Sequence, residues 1–145
     1  MTSQDLLSIF LLIATMVLWG STPLIEKLGL KDVDPLMGIF IRSLVITVIL
    51  FVFYLFSGKL NELTKISVKN FSLFAASGVM AGLIGMWTYF YLLKEGMTSK
   101  IVPIAASYPL ITAVLSIFIL GEQVTLQRII GIVLTVVGII LVKQS

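Results

Sequence analysis

Glu26 and Arg42 are the residues with which this chain can do chemistry inside a lipid phase. Each lies toward one end of a run that is otherwise almost free of charge, and sixteen positions separate them. Counted inward from the polar stretch Lys31–Pro35 at helical rise, they stand at similar depths, roughly 7 and 10 Å in. A cation within a membrane span costs up to about 2.5–3.5 kcal/mol at the centre and less near the edge. Arg42 therefore needs a reason to be there. Three are open to it: an ion pair with Glu26, a contact to an anionic group of a solute, or snorkelling of its stem to the nearer headgroups. Any proton coupling would have to run through carboxylates, and Glu26 is the one placed inside an apolar run.

Interrupted backbone is the second chemical resource, because a broken helix offers carbonyls or dipole ends to a solute. Pro23 removes the hydrogen bond to the carbonyl of Trp19, beside Gly20, and Pro109 does the same to Ala105, about 12 Å into its run. Ser107, Tyr108, Thr112 and Ser116 make the surroundings of Pro109 polar. The alternative is a static kink satisfied by neighbouring helices. Trp87 and Tyr91 share a face toward the end of the third run, where they can stack on a solute or form an interfacial aromatic belt. The candidate solute path is thus Trp19, Glu26, Arg42, Trp87, Tyr91 and Tyr108, with helix breaks at Gly20, Pro23 and Pro109.

Small residues mark where helices can approach. Gly78, Gly82 and Gly85 fall with Tyr89 on one face within about 40° at 100° per residue. Gly78-x-x-x-Gly82 fits close packing, and Gly131 and Gly138, seven apart, form a contact stripe on the last run. Lys27 reads as an interfacial anchor and Glu122 as an interfacial loop carboxylate.

The chain that must position these groups has 145 residues, 59% of them hydrophobic and 12% charged, with a mean hydropathy of +1.14. A soluble domain averages about 45–50% apolar and about 25% charged, so the bulk of this chain belongs in lipid. It contains neither His nor Cys. Disulfides, thiolate and imidazole metal sites, cysteine nucleophiles and the Ser-His-Asp triad are all excluded. No enzyme, cofactor or metal centre is expected. The net charge of +3 comes from ten scattered Lys and Arg, which form no nucleic-acid patch.

Five apolar runs match a hydrocarbon core of about 30 Å: residues 6–28, 36–57, 71–93, 101–120 and 126–142. The expected fold is an all-α integral membrane protein with five transmembrane helices in one domain, 6–142. Asp34-Pro35 reads as N-cap and first helical residue of the second span. Ser67, Ser99 and Thr125 read as caps for the third, fourth and fifth. Pro103 falls in the first turns of its helix, and Gly58–Lys69 is a surface loop. The opening Met-Thr-Ser-Gln-Asp lacks the basic region of a signal peptide, and the first run is expected to be retained as a span.

With five spans the termini face opposite sides. Orientation follows the Lys and Arg excess in cytoplasmic loops. Lys59, Lys65, Lys69 and Arg128 fall on one side, and Lys27, Lys31, Lys94, Lys100 and Lys143 on the other: four against five. Arg42, near the second side, barely tips the balance. Near-even loops permit insertion both ways up, and two oppositely inserted copies would reproduce the inverted repeat of many secondary transporters.

Leu18-Trp19-Gly20-Ser21-Thr22-Pro23, then Glu26-Lys27-Leu28-Gly29-Leu30, Asp34-Pro35 and Arg42-Ser43, resembles the start of an EamA-type domain. The stretch from Gly121-Glu122-Gln123-Val124-Thr125-Leu126 into Gly131 and Gly138 is similar to the end of one. The likeness runs over about residues 6–142 and points to the drug/metabolite transporter superfamily, in its single-domain, five-span bacterial and archaeal form. The resemblance implies half of an inverted-repeat transporter, a homodimer in a prokaryotic plasma (inner) membrane. Its partners would be the lipid bilayer and a small-molecule solute. Related four-span multidrug exporters carry a glutamate deep in the first helix. Here that depth holds Leu11, Leu12, Ile13 and Ala14.

The expected function is alternating-access export of small metabolites or amino acids. The alternatives are a multidrug-type proton/cation antiporter, which lacks its deep carboxylate here, and a non-transporting structural subunit of a membrane complex.

Overall fold

The structure, a computed structural model, describes residues 3–123 and 125–144; Val124, part of the Gly-Glu-x-x-Thr-Leu junction, lies outside the described residues. Its elements are α1 (Ser3–Gly29), α2 (Pro35–Phe56), a short 3-10 helix (Leu60–Lys65), α3 (Val68–Ser77), a π-helical stretch (Gly78–Gly85), α4 (Met86–Glu95), α5 (Thr98–Ala105), α6 (Tyr108–Leu120) and α7 (Leu126–Gln144). No strand occurs among the described residues. The expectation of an all-α protein with five spans is met. Five helical segments are long and apolar enough to cross a membrane: Gln4–Gly29, Pro35–Phe56, Val68–Glu95, Thr98–Leu120 and Leu126–Gln144. Almost all their large apolar side chains face outward, as lipid rather than water demands.

Polar residues set the helix starts. The Asp34 carboxylate accepts the Leu36 N–H at 2.9 Å, with Pro35 as first helical residue. Ser67 accepts from Asn70 at 3.2 Å and Thr125 from Arg128 at 3.3 Å. The fourth span departs from expectation: α5 begins at Thr98, placing Ser99 inside the helix, and Met97 precedes it without a side-chain cap. Pro103 is the sixth residue of α5, in its second turn and so within the first turns as expected.

Two spans are irregular where the sequence is rich in Gly, Pro and small polar residues. In the third, Gly78–Gly85 widens to π geometry, and the Met86 N–H reaches the carbonyl of Ala81, five residues back. Such stretches are rare and often functional. In the fourth, the helix stops at Ala105 and restarts at Tyr108. Both the backbone N–H, at 3.2 Å, and the hydroxyl of Ser107 turn back onto the Ile104 carbonyl. Pro109 is thereby second in α6, where a helix has no use for an N–H.

The described residues divide into two compact units, one ending at Lys94 and one beginning at Glu95. The first unit has its packed core at one end, where Leu30, Ile39, Phe90 and Leu93 are buried. Gly38 lets α2 approach α4 there: a Cβ on it would stand 3.3 Å from the Phe90 ring and 3.7 Å from Leu30. In the second unit α6 closes on left-handed Gly121 (φ 66°), whose N–H returns to the Ser116 carbonyl.

Candidate functional site

The first two spans meet through their charges. The chain leaves α1 at Gly29, turns through Leu30–Asp34 and enters α2 at Pro35. On α1, Thr22, Glu26 and Gly29 share one helical stripe, and on α2 Gly38 and Arg42 share another, because residues four and seven apart lie on one face. The turn brings these stripes together. Arg42 Nη1 lies 3.2 Å from Glu26 Oε1, within both hydrogen-bond and ion-pair reach, and 3.5 Å from the sulfur of Met86 on α4. Of the three roles open to Arg42, the structure shows the pairing.

The two partners are unequally sheltered. The Glu26 side chain is 12% exposed and the Arg42 side chain 45%. The carboxylate is the sheltered member and the guanidinium, on its long stem, the accessible one. The pair forms part of the wall of a groove of about 410 Å³, with Thr22, Ile25, Gly29, Leu30, Val33, Gly38, Ile41 and Phe90 around it. That volume suits a small solute, since ligand pockets run from about 300 to 1,000 Å³. The lining is apolar apart from the two charges and the Thr22 hydroxyl, which is itself turned onto the Leu18 carbonyl at 2.7 Å. Among the described residues that line this groove, the charged ones are Glu26 and Arg42.

Lysines tie α1, the turn after it and the end of α4 together beside the groove. Lys27 Nζ donates to the carbonyls of Leu93 at 2.7 Å and Lys94 at 2.8 Å, and Lys94 Nζ donates to the carbonyl of Val33 at 3.0 Å. These carbonyls at the end of α4 have no partner within their own helix, and a cation there is favoured by the helix dipole. Lys27 thus does more than anchor α1 at the interface.

The other candidates are dispersed. Trp87 and Tyr91, with Thr88 and Leu92, line a separate groove of about 320 Å³ along α4. Trp19 stands exposed on α1. Gly20 lies within α1, and a Cβ on it would meet nothing within 4 Å. Pro23 is buried, and α1 continues through it without interruption. Tyr108 is exposed at the start of α6, beside Pro109. A Cβ on Gly78, Gly82, Gly131 or Gly138 would also meet nothing within 4 Å, so these glycines hold no packed neighbour in their own unit. Gly85 is different: a Cβ there would stand 3.1 Å from the Met80 carbonyl oxygen, five residues back. Its contact is with its own wide turn. The face computed at 100° per residue does not carry through this stretch, because a π turn holds more residues than an α turn.

In the second unit Arg128 Nη1 pairs with Glu122 at 3.1 Å, both side chains near half exposure, and also reaches the Gln123 carbonyl at 3.4 Å. This clamps the start of α7 to the preceding loop. Among the described residues no group of three Asp or Glu could hold a metal ion.

Sequence reasoning missed Gly38, Met86 and Phe90 as parts of the site. The signal was present as spacing: Gly38 is four before Arg42, and Met86, Phe90 and Leu93 follow at four and seven. An apolar stripe in a run that is apolar all round carries no contrast, so it gave no direction.

Comparison with known proteins agrees with this architecture. An uncharacterized protein of Methanocaldococcus jannaschii is 44% identical over 63 residues, which is 43% of this chain and 46% of that protein. An uncharacterized transporter of Archaeoglobus fulgidus is 25% identical over 142 residues, 97% of this chain and 49% of that protein. The chain spans about half the length of the relatives it matches. No solved structure matches it. The EamA-like transporter family matches over residues 6–144, nearly every residue of the five spans, and the chain belongs to that family of multi-pass membrane proteins.

Proposed function

We propose that this chain is half of a secondary transporter that exports small metabolites or amino acids across a prokaryotic plasma membrane. Residues 6–142 act as one membrane domain, and two such five-helix units rock about a solute site between them. The observation that carries this reading is the Glu26–Arg42 pair, 3.2 Å apart within two apolar spans and open to a groove. Charges are expensive inside a membrane and mark solute or ion paths when they face a cavity. A purely structural subunit has no use for a groove lined by them.

The other half of the transporter is a second copy of this chain, inserted the opposite way. Support comes from the loop charges, four against five, and from the Archaeoglobus transporter, of which this chain accounts for 49%. The remainder of that protein has room for another unit of the same size. Trp19, Trp87, Tyr91 and Tyr108 line the path in the assembled dimer, and Pro109 with the break before it supplies flexibility. A multidrug-type cation antiporter fits less well, because Arg42 already occupies the carboxylate that a cationic drug would need.

A counterflow screen of metabolites and amino acids in proteoliposomes of the purified protein tests this. Accelerated exchange of at least one solute class is expected. Absence of exchange for every class, together with stoichiometric co-purification of another membrane protein, would replace the proposal with a structural role.

A further inference from the structure

We propose that the Glu26–Arg42 pair is a receptor for a zwitterion: a small solute whose carboxylate takes Arg42 and whose ammonium takes Glu26, with an apolar body in the groove. This rests on the transport reading above and narrows it to one class of solute. The argument is electrostatic. Within a membrane, separating the pair leaves two uncompensated charges, and breaking a sheltered pair by satisfying only one partner is strongly unfavourable. A monoanion can satisfy Arg42 but strands Glu26. A monocation can satisfy Glu26 but strands Arg42. A ligand carrying both charges satisfies both and leaves the net charge of the site unchanged.

The surroundings favour the same exchange. Arg42 is 45% exposed and so reachable by a solute, whereas Glu26, at 12%, is the more sheltered partner. The guanidinium presents a planar fork suited to a carboxylate, and its other contact, the Met86 sulfur at 3.5 Å, is weak and easily left. The neighbouring lysines are already engaged: Lys27 with the carbonyls of Leu93 and Lys94, and Lys94 with that of Val33. Ile25 and Ile41, the exposed apolar side chains of the lining, offer only apolar surface to the rest of the ligand. Glu26 holds the position on Arg42 that the solute carboxylate would take. Loading is an exchange of one carboxylate for another, with the ammonium following onto Glu26.

The test is equilibrium binding of radiolabelled L-leucine to the purified full chain in detergent, with displacement by two analogues. One is 4-methylpentanoate, which lacks the ammonium, and the other is 3-methylbutan-1-amine, which lacks the carboxylate. Leucine is expected to displace the label at least about tenfold better than either analogue. Glu26→Gln should remove most of that advantage over 4-methylpentanoate, and Arg42→Gln most of that over the amine. Because either single variant leaves a bare charge and can fail to fold, the exchanged pair Glu26→Arg with Arg42→Glu is included. It is expected to fold and to prefer leucine still. Equal affinity of leucine and its analogues for the wild-type protein would overturn the proposal, as would an unchanged preference in Glu26→Gln. Solute exchange in proteoliposomes without zwitterion preference sinks this inference and spares the transport reading. Leucine binding without any exchange does the reverse.

Discussion

Lys27 on α1 and Leu93 on α4 are sixty-six residues apart in the chain, yet the lysine ammonium lies 2.7 Å from the leucine carbonyl. One span thereby supplies the cap that another lacks. The same ammonium takes the next carbonyl, of Lys94, at 2.8 Å, and Leu93 is fully buried beneath the contact. The first and third spans are joined at one end by a charge-assisted link that neither could make within itself.

Replacing that lysine should loosen the end of the first unit. Lys27→Met keeps the length of the stem but loses the ammonium that makes both hydrogen bonds, and hydrogen bonds to charged groups contribute about 1.5–3 kcal/mol. A loss of about 2 kcal/mol is expected in denaturant unfolding in micelles, with Lys27→Arg intermediate. Faster amide exchange should be confined to residues around the Leu30–Asp34 turn and the end of α4. A uniform increase along the whole chain would mean that the link is not local.

The Glu26–Arg42 pair should show strong coupling. Removing one partner strands the other, so Arg42→Leu or Glu26→Gln alone should each cost about 3 kcal/mol, near the lower end of values for sheltered pairs. The double variant should cost less than the sum by more than about 1 kcal/mol, measured as a double-mutant cycle. Additive effects would show that solvent already screens the pair. Flux is a separate readout: an Arg42→Leu protein that transports normally would reduce this residue to an anchor.

The glycines of the third span should separate into two kinds. Gly82→Ala meets no atom within 4 Å and should be neutral or stabilising by up to about 1 kcal/mol, as expected for replacing Gly in a helix. Gly85→Ala puts a methyl 3.1 Å from the Met80 carbonyl, and backbone cannot yield as a side-chain tip can. A loss of about 1–2 kcal/mol is expected, of the size of other overpacking effects. Thermal denaturation of the two variants side by side is sufficient, and equal midpoints would contradict the wide turn.

Orientation should respond to a small change in loop charge. Reporter tags at the C-terminal end of the wild-type chain are expected on both sides of the membrane. Asp32→Lys with Glu95→Lys, both exposed positions, changes the count from four against five to four against seven. The C-terminal end should then be cytoplasmic only. A single location in the wild-type chain would remove the oppositely inserted pair.

Much of this was legible because membranes impose simple rules. Apolar length gave the spans, and Asp34-Pro35, Ser67 and Thr125 marked their starts through side-chain oxygens that accept an N–H in only one place. Depth counting brought Glu26 and Arg42 level, and pairing was one of the outcomes it allowed. What could not be read was direction within an apolar surface. Ile39, Phe90 and Leu93 are buried while dozens of similar residues face lipid, and nothing in their chemistry separates the two groups. Ser99 looked like a cap because its type suits one, but the helix had already begun a residue earlier. Proline spacing predicted an interruption in α1 that the helix does not make, and in the fourth span one that falls two residues before Pro109.

That last interruption bears on how the protein is made. At helical rise α5 is about 12 Å long and α6 about 20 Å, so neither piece reaches across a hydrocarbon layer of about 30 Å. The insertion machinery has to accept them as a single passenger. A charge placed at Ala106 or Ser107 should therefore be resisted during biogenesis, before any folded protein exists to be harmed by it. The joint is tolerated only while the two half-helices enter the bilayer together.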